Sequence, residues 1–191
     1  MRRYLFNKAL RILLVTNGLI LIAGAMLGPI YALFVTKIGG DLLDASIAGA
    51  LFALTAGLVT ILSGKLSDKV RHSELVMILG YLLMGTGFFL YQFVDSVMFL
   101  FGIQILIGLG EAIYSPAFDK LYSTHLDDNK EGTEWGAWGG MNYFTTAFGA
   151  FAGGLIVTKF GFNAIFIIMA ALSYISASYL YFLSPKKVLS I

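Results

Sequence analysis

Along the 191 residues, apolar runs of about membrane-spanning length alternate with short polar gaps, and nearly all the charge falls in the gaps. The runs cover roughly 9–35, 47–64, 75–94, 97–121, 136–157 and 164–183. About 20 residues of helix cross the hydrocarbon core, so each run predicts a transmembrane helix. The fold expected is an all-α membrane protein: one compact six-helix transmembrane domain over residues 1–191 with short loops.

The gaps predict the details of the turns. The outer turns are expected at Thr36–Ser46, Asp95-Ser96 and Thr158–Asn163, and the others at Lys65–Glu74 and Tyr122–Trp135. The last is polar and acidic (Asp127, Asp128, Glu131, Glu134), and an interfacial helix is expected within it. The aromatic stripes Phe88, Phe89, Tyr91, Phe93 and Tyr174, Tyr179, Tyr181, Phe182 read as lipid-facing or interfacial belts.

Composition agrees with the pattern: hydrophobic residues make up 58% and charged residues 13%. That charged share is about half the usual 25% of a soluble domain. Charge placement then orients the chain. Arg2, Arg3, Lys8, Arg11, Lys65, Lys69, Arg71, Lys120, Lys130, Lys186 and Lys187 share a side with the termini, while Lys37 and Lys159 stand opposite. Eleven basic residues against two put both termini in the cytoplasm, and the membrane expected is the cytoplasmic (inner) membrane of a prokaryote. A net charge of +2 gives no case for nucleic acid. The basic start and Ala23-Gly24-Ala25 resemble a secretory signal, but the apolar run continues to Val35, so a retained span is expected.

Candidate chemistry is sparse. There is no cysteine, and His72 and His125 lie on different loops, so no metal or cofactor is expected. No phosphate-binding glycine loop, nucleophile triad or catalytic carboxylate pair occurs, and no enzyme is expected. Glu111 is the only acid or base deep within a span, roughly 15 Å from the nearer end at 1.5 Å per residue. A mid-membrane charge costs at least about 2.5–3.5 kcal/mol on insertion scales, so Glu111 must face protein or water, where it can exchange a proton. Gln104, Gly108, Glu111 and Ser115 share one stripe of their helix, which predicts the wall of an aqueous cavity. Asn17, Gly24, Gly28 and Tyr31 form a weaker face on the first span, where Pro29 can interrupt the helix. Asn142 on the fifth span is a further polar candidate.

Twenty-two glycines sit mainly inside the spans, where small residues let helices approach closely. Gly136, Gly140, Gly149, Gly153 and Gly154 crowd the fifth span; they read either as packing within the bundle or as contact with a second one. A faint repeat places an amide twelve residues before a proline in spans one and four (Asn17 and Pro29, Gln104 and Pro116). Three helices per repeat predicts two inverted triplets, a transporter arrangement.

The sequence after span two, Gly64-Lys65-Leu66-Ser67-Asp68-Lys69-Val70-Arg71-His72-Ser73, resembles the major facilitator superfamily signature Gly-x-Leu-x-Asp-(Arg/Lys)-x-Gly-(Arg/Lys)-(Arg/Lys). Gly64, Leu66, Asp68 and Lys69 match; Arg71 stands at the second glycine, and His72 and Ser73 at basic positions. Gln104–Pro116 resembles the fourth helix of that family without its frequent arginine, and the fifth span resembles the antiporter helix without its Gly-Pro pair. The resemblance implies that Asp68 and Lys69, with Arg71 nearby and Asp119 facing them, latch the cytoplasmic side of a cavity. Family members are similar to this chain repeated twice about an axis normal to the membrane. The resemblance therefore implies a homodimeric secondary transporter working by alternating access, with Glu111 coupling protons to export of a small lipophilic or cationic solute. Its partners would be that small molecule, the lipid bilayer and a second copy or second half-transporter. The other reading is a membrane assembly or regulatory subunit that does not transport, or a half needing a different partner chain.

Overall fold

A computed structural model describes residues 6–183. Arg2, Arg3, Lys186 and Lys187, which contribute to the charge asymmetry, lie outside the described residues. The helices are α1 (Lys8–Leu27), α2 (Tyr31–Lys37), α3 (Leu42–Lys69), α4 (Ser73–Leu90), α5 (Val97–Thr124), α6 (Glu131–Phe160) and α7 (Phe162–Leu183). The first apolar run becomes α1 and α2, joined by a 3-10 turn at Gly28–Ile30 that begins with Pro29 near its start. Proline has no N–H to continue the ladder, which accounts for the interruption. Pro116, by contrast, is carried inside an unbroken α5.

Local chemistry sets the helix starts. The Asn7 side chain accepts the Leu10 N–H at 2.9 Å and caps α1. Asp41 and Asp44 form a reciprocal capping box at α3, with both bonds 2.9 Å. Ser96 caps α5, and Gly161, at φ 80°, turns the chain between α6 and α7. The turns are therefore tighter than the sequence pattern predicts. The expected interfacial helix between spans four and five is absent: α5 runs to Thr124 and α6 begins at Glu131. Glu131 and Glu134 belong to the first turn of α6, where carboxylates oppose the positive end of the helix dipole.

Four helices, α1, α4, α5 and α7, form the centre, and α3 and α6 flank it. α4 packs on α5 and α7, α1 packs on α6 and α7, and α3 packs mainly on α5. Exchanging the first three spans for the last three preserves this set of neighbours: α3 on α5 becomes α6 on α1, and α4 on α5 becomes α7 on α1. With three spans in each triplet, the two must run in opposite senses, as an inverted repeat requires.

Close approaches hold the layers together. A Cβ on Gly80 would fall 2.7 Å from the Gly110 carbonyl oxygen, and one on Gly153 would collide with the backbone of Met26. Ser176 Oγ donates to the Thr16 carbonyl at 2.7 Å, joining α7 to α1, and Ser63 Oγ donates to the Ala112 carbonyl, joining α3 to α5. Five of the six long helical segments are apolar enough to span a membrane unaided. The sixth, α6, has 30 residues, but its glycines, polar residues and tryptophans dilute its apolarity.

Among the five most apolar spans, α3 is the least buried. Only 6% of its most apolar stretch is covered, against 44% for α5. Leu54, Leu58, Ile61, Leu62 and Leu66 of α3 are exposed, as are Tyr143, Phe144, Phe148 and Phe151 of α6. These apolar surfaces identify a molecule whose surroundings are lipid or another apolar bundle.

A cleft between the two triplets

The break after α1 brings Tyr31 across to α5, where Gln104 Nε2 donates to the Tyr31 hydroxyl. Both residues line a cleft of about 310 Å³, together with Glu111. Seven residues separate Gln104 from Glu111, close to two helical turns, so both present the same side of α5 to this space. The rest of the wall is apolar, aromatic or glycine: Phe52 from α3, Met84, Phe88 and Tyr91 from α4 and its end, Met169 from α7, and Gly24 and Gly28 from the α1 end. Glu111 is the only acid or base lining the cleft among the described residues.

The predicted stripe on α5 is divided. Gly108 faces the backbone of α3 instead of the cleft; a Cβ there would lie 2.8 Å from the Phe52 carbonyl oxygen. A small residue is what lets α3 cross α5 so near the cavity wall. Ser115 is half-buried and outside the cleft lining.

Asn17 is only 2% exposed and outside the cleft lining, and its side-chain oxygen accepts the Trp138 indole N–H at 3.2 Å. Asn142 is half-buried on α6, also outside the cleft. Phe88 and Tyr91 correct an expectation: both are almost fully buried and line the cleft rather than joining a lipid-facing belt. Phe89, Phe93, Tyr181 and Phe182 are exposed as expected of such a belt. A run of aromatics on one helix necessarily samples every direction, so composition alone did not separate the two sets.

The signature residues are helical, forming the last turns of α3 up to Lys69 instead of a loop. Leu66, Asp68, Lys69 and Arg71 are exposed, and Gly64 has open space beside it. Asp119 is exposed on α5, and no ion pair joins Asp119 or Asp68 to Lys69 or Arg71 among the described residues. The neighbouring lysine makes the contact instead: Lys120 Nζ donates to the carbonyls of Ser67 at 2.7 Å and Val70 at 2.9 Å. A cation there satisfies the last carbonyls of α3 and opposes its negative dipole end. Nothing in the sequence distinguishes this lysine from one that merely orients the protein.

The glycines of α6 divide as well. Gly149 and Gly153 meet the backbone of α1, whereas Gly136, Gly140 and Gly154 have open space where a side chain would be. Gly140 lies about half a turn from Gly149 and Gly153 at 100° per residue, so the helix has one packed and one open glycine face.

Comparison with known proteins adds identity to this geometry. The model of the Major Facilitator Superfamily matches residues 13–190. An uncharacterized MFS-type transporter of Methanocaldococcus jannaschii is 26% identical over 84% of the chain, which corresponds to 41% of that protein. Multidrug resistance protein MdtG of Dickeya zeae is 26% identical over 87% of the chain and 42% of its own length. The chain thus spans less than half of these two relatives. It covers 93% of another, the uncharacterized MFS-type transporter YitZ of Bacillus subtilis, at 28% identity over 85% of the chain. Proton-coupled antiporter flippase LtaA of Staphylococcus saprophyticus is 26% identical over 81% of the chain and 42% of its own length. A six-helix bundle of two triplets around a central cleft, matched by the family model across nearly all its length, leads to one assignment: the chain belongs to the Major Facilitator Superfamily, whose members are carriers rather than enzymes.

Proposed function

We propose that this chain forms one side of a secondary transporter, completed by a second copy of itself about an axis normal to the membrane. The observation that carries this reading is the cleft, a polar-floored space with a single carboxyl between helices whose outer faces remain uncovered. Exposed α3 and the open glycine face of α6 offer the apolar surfaces that a twofold pairing would bury, span two of one copy against span five of the other. The match to YitZ over 93% of that protein is consistent with a half-length MFS-type transporter.

In this arrangement Glu111 of each copy binds and releases the coupling proton, while Gln104 and Tyr31 orient the solute. The helical end carrying Lys65, Lys69, Lys120 and Lys130 faces the cytoplasm of a prokaryotic cell, and Asp68, Lys69 and Arg71 close that side by contacting the second copy rather than their own bundle. An apolar, aromatic cavity with one carboxyl per copy favours a lipophilic cation, attracted to the deprotonated acid and displaced when the acid takes up a proton. The names of two relatives, a multidrug resistance protein and a proton-coupled antiporter, point in the same direction.

The test is uptake of ethidium, a lipophilic cation, into proteoliposomes under an imposed pH gradient. Wild-type protein accumulates the dye against its concentration gradient. Glu111→Gln loses gradient-driven accumulation. Accumulation by Glu111→Gln equal to wild type would remove Glu111 from the coupling.

A further inference from the structure

At the end of the bundle opposite Lys65 and Lys120, a second cavity of about 370 Å³ lies among the end of α2, the turn between α4 and α5 and the start of α7. A space of this size falls in the range of small-molecule sites. Tyr91 is 4% exposed and lines both this pocket and the central cleft. Its ring centroid lies 5.0 Å from that of Phe166 and 5.7 Å from that of Phe34, so an aromatic floor separates the two cavities. The outer pocket therefore takes no part in the site assigned to Glu111.

Its walls carry one charge of each sign. Lys37 ends α2, and its ammonium stands over the Phe162 ring at 5.4 Å from the centroid. That contact positions the cation and leaves N–H donors for an anion. Asp95 lies between Val94, which closes the 3-10 turn Tyr91–Phe93, and Ser96, the N-cap of α5, so its backbone is held from both sides. Both charged residues are exposed and line this cavity, yet among the described residues neither belongs to an ion pair. The Asn163 amide adds a donor and an acceptor, and half-buried Ile38, Val94 and Phe162 supply apolar contact.

Opposite charges that share a cavity without pairing suit an occupant that carries both signs. A solute with a single charge would satisfy one group and be repelled by the other. We propose that this pocket binds a small zwitterion, an ammonium and a carboxylate on a short apolar body, with the carboxylate at Lys37 and the ammonium at Asp95. This is the chemistry of an apolar amino acid, and it differs from that of the lipophilic cation assigned to the cleft. Binding here does not depend on transport through the cleft.

The full chain in detergent micelles is titrated calorimetrically with phenylalanine, with phenethylammonium and with 3-phenylpropionate, using empty micelles as the blank. The last two keep the apolar body and one charge each. Phenylalanine should bind about fivefold more tightly than either, the upper end for a solvent-exposed ion pair. Lys37→Gln should weaken phenylalanine by a similar factor and erase its advantage over phenethylammonium. Asp95→Asn should weaken it likewise and erase its advantage over 3-phenylpropionate. Lys37→Arg, which keeps the charge and the contact with the ring, should restore binding, and Lys159→Gln, which removes the other cation at this end, should leave it unchanged. Equal affinity for the three compounds overturns the proposal, as does phenylalanine binding that survives Lys37→Gln and Asp95→Asn undiminished. A wild-type protein that binds no phenylalanine overturns it as well.

Discussion

The role proposed for Glu111 rests on its surroundings more than on its identity. It stands on the same side of α5 as Gln104, in a wall otherwise made of apolar, aromatic and glycine residues, with the Tyr31 hydroxyl two turns away accepting from Gln104. Outside the membrane, acids behave quite differently. The Lys130 ammonium, 2.7 Å from the Asp127 carboxylate, holds that acid below the usual aspartate range, helped by the Asn7 amide at 3.2 Å. A depressed carboxylate contributes stability above its unfolded-state pKa, and that contribution fades as pH falls through the folded value. Asp127 is exposed, so the effect is small and screened by salt. Asp127→Asn should lower the thermal midpoint slightly at neutral pH, and the difference from wild type should vanish at acid pH below the ordinary aspartate range. A difference that persists unchanged in acid would show that the side chain acts through packing instead.

Among the helices, the two faces of α6 invite a comparison. A Cβ on Gly153 would meet the Met26 backbone, which cannot move aside without displacing α1. Gly153→Val should therefore destabilise the bundle by about 3 kcal/mol, the upper end of the usual range for overpacking. Gly140→Val, on the open face, should change the stability of the single bundle by no more than about 0.5 kcal/mol. Denaturant unfolding in detergent micelles distinguishes them, and similar losses for both would mean that the open face is not open. The end of α3 offers a second case. Lys120→Met removes the cation from the Ser67 and Val70 carbonyls, and hydrogen exchange of the last α3 turn should speed up by an amount equivalent to about 1 kcal/mol. Unchanged exchange there would show that Lys120 does not hold that helix end.

These elements also show what the sequence could and could not reveal. The apolar runs located the six long helical segments, and hydropathy with length marks five of them as able to cross a bilayer. Where Phe88 and Tyr91 point depends on how α4 is rotated against α5 and α7, a tertiary fact with no local signal. The same holds for Asn17, drawn to Trp138 by helix packing, and for Lys120, whose partners lie 53 and 50 residues away. Glu111 and Gln104 could be read in advance because a charge or amide deep in an apolar run is costly anywhere except against water or protein.

For the whole molecule, transport as proposed depends on a second copy completing the cleft. The chain contains no cysteine, so an introduced pair can be read without background. Leu58 of α3 and Phe144 of α6 are 59% and 78% exposed, and both stand near the middle of their helices on the faces proposed to meet. The deciding measurement is disulfide crosslinking in membranes that contain two differently tagged chains, one with Leu58→Cys and the other with Phe144→Cys. Twofold pairing predicts a product carrying both tags that forms only when both cysteines are present. Correctly folded chains that give no doubly tagged product would contradict it.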